Sequence, residues 1–177
     1  ALYRALDLPW IPPELREGGG ELEAASTGAL PGLLEESDLR GFLHCHTNYS
    51  DGSNTVADLA RGVQAAGYDW IGITDHSQSA AYAGGLSPEG LSRQATEIAE
   101  VAAGIPGFRI LHGVEADILA DGRLDYEDDV LARLDFVIGS VHSRFNLSGA
   151  EMTARVLAAL ENPYLTILGH PTGRLLL

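Results

Sequence analysis

From residue 40 onward, five short apolar runs alternate with segments of helical length, and each run delivers a histidine or a carboxylate at its C-terminal end. The runs are Gly41–Cys45, Asp69–Thr74, Phe108–Glu115, Leu134–Val141 and Tyr164–Gly169. Between the first two, Thr55–Ala66 carries Val56, Leu59, Ala60 and Val63 on one helical face and stops at Gly67. Ser87 caps a second helix that runs through Ala103, with Pro88 in its first turn and Gly104 at its end. Asp128–Arg133 is a short helix, and Ser148 opens a last one that stops at Asn162-Pro163. Strands and helices alternating at a repeat of roughly 30 residues predict parallel βα units. Five units are too few to close an eight-stranded barrel, so the pattern alone leaves two architectures: an open doubly wound sheet, or part of a barrel.

Residues 1–40 differ in texture, with Pro9, Pro12, Pro13, Gly18-Gly19-Gly20 and Pro31. They read as a helix end over Ala1–Leu8, an extended proline-bound stretch, a short helix near Glu21–Ala25 and a turn. That is a linker or the tail of a preceding element. No apolar run approaches the ~20 residues needed to span a bilayer. The start Ala1-Leu2-Tyr3-Arg4 is unlike a secretory signal, so a cytoplasmic protein is expected.

Formal charge is −14, and all eleven cationic side chains are arginine. Such a surface repels nucleic acid, which excludes a DNA-binding module acting by its own charge. Bound divalent cations would reverse the sign locally, and clustered carboxylates attract them. Cys45 is the only cysteine, so there is no internal disulfide framework. Alternation along a strand turns it away from His44 and His46 as a small buried hydrophobe.

The strand ends carry the chemistry. They read His44-Cys45-His46 followed by Asp51, then Asp75-His76, Glu115-Ala116-Asp117, Val141-His142 and Gly169-His170. The C-terminal rim is where βα barrels place their sites. The i, i+2 spacing of His44 and His46 puts both imidazoles on one strand face, as a pair of donors for a cation. Five of six histidines occupy these ends; His112 lies inside the third run, on the face opposite Glu115, and reads as structural. No Gly-rich phosphate loop follows the first strand, and no Gly-x-Ser-x-Gly elbow is present.

These residues resemble a known family. His44-x-His46 with Ser50-Asp51-Gly52, then Thr74-Asp75-His76, Gly113-x-Glu115, Ser140-Val141-His142 and Gly169-His170-Pro171 look like successive motifs of the polymerase and histidinol phosphatase (PHP) domain, over roughly residues 39–173. The stretch from Ala5 to Glu17, with Gly20–Ala25, is similar to the segment that leaves the polymerase core in bacterial and archaeal family X DNA polymerases. The resemblance implies an α/β fold, a distorted seven-stranded (β/α) TIM-like barrel of which the first five βα units are present. It divides the chain into a linker, 1–38, and an incomplete PHP domain, 39–177.

The resemblance also implies up to three divalent metals: manganese, zinc or iron. One is held by His44, His46 and Glu115; Glu115 bridges to a second held also by His142 and His170; Asp51 and His76 serve the third. Asp75 and Asp117 are candidates for orienting the imidazoles, and Arg144 for contacting substrate phosphate. Glu115, His142, His170 and Asp75 are the expected catalytic group. The family completes its centre with a late Asp-x-His motif, and this chain stops at Leu177 before it, so the chain by itself is expected to lack robust catalysis. The implied activity is phosphoester hydrolysis on DNA, 3′-to-5′ exonuclease and abasic-site or 3′-end processing in repair, in a monomer that reaches DNA through its polymerase domains. The alternatives are a free-standing small-molecule phosphatase such as histidinol phosphatase, or a metal-stabilised scaffold without catalysis.

Overall fold

A computed structural model describes residues 2–172; Ala1 and residues 173–177, including the Leu175–Leu177 end, lie outside the described residues. The chain divides into two compact units, Ala1–Leu39 and Arg40–Leu177. The first holds helices α1 (Leu2–Ala5) and α2 (Glu21–Ser26) and two 3-10 turns, Pro13–Leu15 and Glu36–Asp38. Its main fixed feature is Arg16, whose guanidinium lies over the rings of Tyr3 and Trp10 at 5.2 and 4.8 Å and donates to the Ile11 carbonyl at 2.8 Å.

The second unit is α/β. Strands β1 (Gly41–Cys45), β2 (Trp70–Ile73), β3 (Arg109–Asp117), β4 (Phe136–Ser140) and β5 (Ile167–Leu168) alternate with helices α3 (Val56–Ala65), α4 (Pro88–Ala103), α5 (Asp128–Leu131) and α6 (Gly149–Leu160). All four strand pairings are parallel. The order is β1-β2-β3-β4-β5, without reversal. A doubly wound sheet reverses its strand order at a switch point. This one advances in one direction, and right-handed crossovers then lay every helix on the same face.

The sheet also curls. Five strands spaced about 4.8 Å apart would hold the outer two some 19 Å apart if flat. Yet the rings of His44, on β1, and His170, just past β5, lie with centroids 6.1 Å apart. Two imidazole side chains do not bridge that difference, so the edges have rolled toward each other as in part of a barrel. The chain contributes five strands to it among the described residues.

Alternation along β3 sorts the faces. Val114 and Ala116 pack outward with Leu91, Leu131, Val137 and Ala159 from the helices and β4. A second outward cluster joins Ile71 and Ile73 of β2 to Val56, Ala60 and Ile98. The odd positions Gly113, Glu115 and Asp117 face inward. There Phe136 and Leu43 fill the lumen, which requires glycine opposite: a Cβ on Gly72 would lie 2.7 Å from the Phe136 ring and 2.6 Å from Leu43, and one on Gly113 would meet the same ring at 2.7 Å. No helix among the described residues is long and apolar enough to cross a membrane.

Candidate metal centre

Glu115 is the floor of the site. It sits on the inward face of β3, 1% exposed, and imidazoles from four other strand ends surround it. Its Oε1 faces Nε2 of His44 at 3.0 Å, of His142 at 3.3 Å and of His170 at 3.0 Å. Its Oε2 faces His46 Nε2 at 3.4 Å and His76 Nδ1 at 3.1 Å. Asp51 closes one side, with its oxygens 3.1 Å from His46 Nδ1 and 3.7 Å from His76 Nε2. His76 and Glu115 are buried, whereas the side chains of Asp51 and His170 are about half exposed, so the centre opens toward that rim.

His44 and His46 do meet, with stacked rings 5.4 Å apart, but not through the plain alternation expected of a strand. The β1–β2 register shifts between Phe42 and Cys45, and His44 has φ of 63°. The strand bulges at its first ligand-type residue and aims it inward. His170 (φ 25°) and Arg144 (φ 58°) are likewise held in the left-handed region that L-residues avoid. Such strain persists where surrounding structure over-determines a position, often at functional sites.

The donor set fits divalent cations. A carboxylate oxygen accepts about two hydrogen bonds, yet three ring nitrogens converge on Oε1. His142 Nε2 and His170 Nε2 face each other at 3.2 Å, where both cannot be donors. The Nδ1 atoms of His46 and His76 are buried with no hydrogen-bond partner, although carboxylate oxygens stand 3.1 Å away. Ligands at about 2.1 Å from a metal in tetrahedral or octahedral geometry lie about 3.0–3.4 Å from one another, which is the spacing seen. Among the described residues, three groups bring their donor atoms within 4.8 Å of one another: His44, His46 and Glu115; His46, Asp51 and His76; His76, Glu115 and His142. His170 joins the last through both Glu115 and His142.

Burial works to push the Glu115 carboxyl up, but hydrogen bonds from His142 and His44 outweigh it and hold the group far below the usual carboxylate range. His142 is pushed up to about 9 by hydrogen bonds to Asp117 and Glu115. Burial pushes His76 down, toward the neutral form that binds metals.

The two aspartates proposed as orienting groups part company. Asp117 Oδ1 takes His142 Nδ1 at 2.7 Å and so directs Nε2 into the cluster. Asp75 touches no imidazole. Its carboxylate, 0% exposed, accepts from the backbone N–H of Thr47 at 2.8 Å and Ser50 at 3.1 Å, from both their hydroxyls, and from Gln94 Nε2 at 2.6 Å. It fixes the loop between His46 and Asp51 rather than a ring, because side chains alternate at the end of β2 and His76 takes the inward position. His112 points to the helix side, 3.1 Å from Gln94 Oε1, and lines a separate cavity of about 280 Å³ with Pro88, Leu91 and Arg133. Arg144 is exposed two residues beyond His142. Cys45 is half-buried, and burial pushes its thiol up.

Thr47, Ser50 and Gln94 were not anticipated. Gln94 carried a signal: it is polar on the inward stripe of α4, in phase with Leu91 and Ile98. Arg155 carried the same one on α6.

With this arrangement in view, comparison with known proteins is decisive. The PHP domain profile matches residues 43–172. The chain belongs to the PHP family. It is 46% identical over 174 residues to the DNA polymerase/3′-5′ exonuclease PolX of Bacillus subtilis (strain 168), covering 98% of this chain and 30% of that protein. It is 35% identical over 132 residues to a probable phosphatase of Caldicellulosiruptor bescii, 72% of this chain and 52% of that one. A probable phosphatase of Acetivibrio thermocellus is 36% identical over the same shares. The chain thus spans 30% of the length of the first of these relatives and 52% of the other two. The PHP match lies within the 39–173 that the motifs outline.

Proposed function

We propose that this chain is the PHP portion of a family X DNA polymerase and that the intact domain hydrolyses DNA phosphoesters, removing nucleotides 3′-to-5′ and processing abasic sites and 3′ ends in repair. The observation that carries the reading is the meeting of five imidazoles on the two oxygens of one buried glutamate. The choice of DNA is supported by where similarity extends. The PolX match covers 98% of the chain and so takes in most of residues 1–39, whereas the phosphatase matches cover 72%. Residues 1–38 are then the linker from a polymerase core and residues 39–177 the hydrolytic domain of a cytoplasmic monomer. The polymerase domains supply the basic DNA path that a chain of charge −14 lacks.

His44, His46 and Glu115 would hold one cation, Glu115, His142 and His170 a second, and Asp51 with His76 a third; manganese, zinc and iron all suit such ligands. When bound, divalent cations supply Lewis acidity, polarising phosphoryl oxygens and easing deprotonation of the attacking water. The protein's own groups do the rest. Glu115 keeps the imidazoles in register, Asp117 fixes the His142 tautomer, and Asp75 holds the His46–Asp51 loop in shape. Arg144, exposed two residues past His142, takes a phosphate oxygen. No side-chain nucleophile is required.

The test compares a 3′-recessed duplex, an abasic duplex and histidinol phosphate as substrates of the intact, manganese-loaded protein. Cleavage of the duplexes is expected, with histidinol phosphate a poor substrate. Loss of an outer partner of a metal ligand costs about 10–100-fold, so Glu115→Gln, which alters the shared ligand itself, should cost at least about 100-fold. A manganese-binding protein that leaves both duplexes uncut would sink the nuclease reading. Turnover of histidinol phosphate alone would favour the phosphatase named among the relatives. Activity unchanged in a folded His142→Ala variant would mean that the centre is a scaffold.

A further inference from the structure

One aromatic side chain on the rim has no structural work to do. Tyr82, in the 3-10 turn Ala81–Ala83 between β2 and α4, is 72% exposed. Its ring stands edge-on to His76 and His142, with centroids 6.0 and 6.4 Å away and planes 61° and 80° apart. It therefore overlooks two of the imidazoles that surround Glu115 while presenting most of its surface to solvent.

The loop that carries it is not free to fold the ring away. Ser77 N–H donates to the Glu115 carbonyl at 3.0 Å, and Leu86 N–H to that of His76 at 2.8 Å. Tyr126 Oη donates to the Leu86 carbonyl at 2.6 Å. Both the amide and the hydroxyl of Ser79 are taken by the Asp125 carboxylate, and Gln78 donates to the Asp125 carbonyl at 2.9 Å. Gly85 closes the loop so tightly that a Cβ there would sit 1.8 Å from the Ser77 carbonyl oxygen. A large flat side chain held out at such a place is pre-organised, so a ligand that covers it loses little freedom in the loop.

We propose that Tyr82 is a specificity residue whose ring stacks on the nucleobase attached to the phosphate being held at the histidine–glutamate cluster. The inference rests on the phosphoester reading and deepens it, by naming what separates a nucleotide substrate from a bare phosphate. The ring lies from the imidazoles at the order of distance by which one sugar separates phosphate from base. Stacking on a π-face tolerates any base, as an end-processing activity requires, and alanine substitution at such platforms costs about 5- to 150-fold in binding.

Binding, not turnover, is the readout. The manganese-loaded protein is titrated calorimetrically with a nucleoside 5′-phosphonate, whose carbon–phosphorus bond resists hydrolysis, and with the matching sugar phosphonate that lacks a base. The parent should bind the first at least about tenfold more tightly. Tyr82→Phe should keep that ratio, whereas Tyr82→Ala and Tyr82→Leu should bring it close to one while leaving affinity for the baseless ligand unchanged. Leucine retains apolar surface without a flat face, so it separates stacking from simple burial. The inference is overturned if the parent shows no preference for the base, or if the alanine variant, melting like the parent, keeps it. A parent that binds neither phosphonate fails at the phosphate site itself, which sinks the phosphoester reading and this inference with it.

Discussion

At Asp75, five donors from three residues converge on a carboxylate with no access to water. An amide in its place keeps one acceptor oxygen and turns an N–H₂ group toward donors that need acceptors. Asp75→Asn should therefore cost about 2–4 kcal/mol of stability, since hydrogen bonds to a charged group contribute about 1.5–3 kcal/mol each and some would be remade. The Thr47–Ser50 loop would relax and carry His46 and Asp51 apart, so manganese affinity should fall about 10–100-fold. Denaturant unfolding and manganese titration of the variant check the two halves separately. An unchanged affinity in a destabilised variant would make Asp75 a packing residue only. In the sequence, Asp75 stood beside His76 and invited a role on the imidazoles. Its real partners, Thr47, Ser50 and Gln94, lie 19 to 28 positions away, and no local pattern announces a pairing at that range. Asp117, two positions from Glu115 on the same face of β3, was easier to place because period-2 alternation is local.

Helix α6 shows the same division at the level of an element. Its start was legible: Ser148 and Glu151 form a reciprocal capping box, with the Ser148 hydroxyl accepting from the Glu151 N–H at 3.3 Å. Thr55 caps α3 with the same kind of box, Ser87 caps α4 by accepting from the Gly90 N–H at 3.2 Å, and these helix bounds fall within two residues of expectation. Strand ends were harder. The run Tyr164–Gly169 pairs only over Ile167–Leu168, while β3 extends past Glu115 to Asp117. Strands end where a neighbour stops pairing, which a run's own composition does not encode. Least legible was Arg155, 3% exposed within α6. Its guanidinium donates to the carbonyls of Leu119 and Ser143, both at 2.8 Å, and of Ile118. The helix thereby fastens the ends of β3 and β4, from which Asp117 and His142 project. Arg155→Met fills similar space without donors and takes from the Ile118 and Ser143 carbonyls the only donor they have among the described residues, while Leu119 keeps the Gly122 N–H at 3.0 Å, so it should cost about 2–4 kcal/mol. Urea unfolding measures it. A loss under about 0.5 kcal/mol, the range of an ordinary surface substitution, would mean that water replaces the guanidinium.

Across the whole second unit, the curl and the cluster are two views of one arrangement. Residue patterns alone could not choose between a doubly wound sheet and a barrel segment, because both are built from the same βα unit; only the unreversed order β1 to β5 decides it. That order brings His44 and His170, from opposite edges, onto a single oxygen of Glu115. Five imidazoles crowded on one carboxylate are a strained set in the absence of cations, and the ions that share Glu115 would tie β3 to β1 and to β5, with neither of which it pairs. Metal should therefore stabilise the unit as a whole. At a free concentration 100 times Kd, one ion adds about 2.7 kcal/mol, which for a chain of this size raises Tm by about 5–10 °C. Manganese should produce that rise and a chelator should reverse it. Hydrogen exchange then distinguishes a tie across the sheet from a local effect. Amides of β1 and β5 should gain protection together with those of β3, since the two edges do not pair with each other and both reach Glu115 through the cluster. Protection gained in β2–β4 alone would mean that the edge histidines take no part in holding the ions.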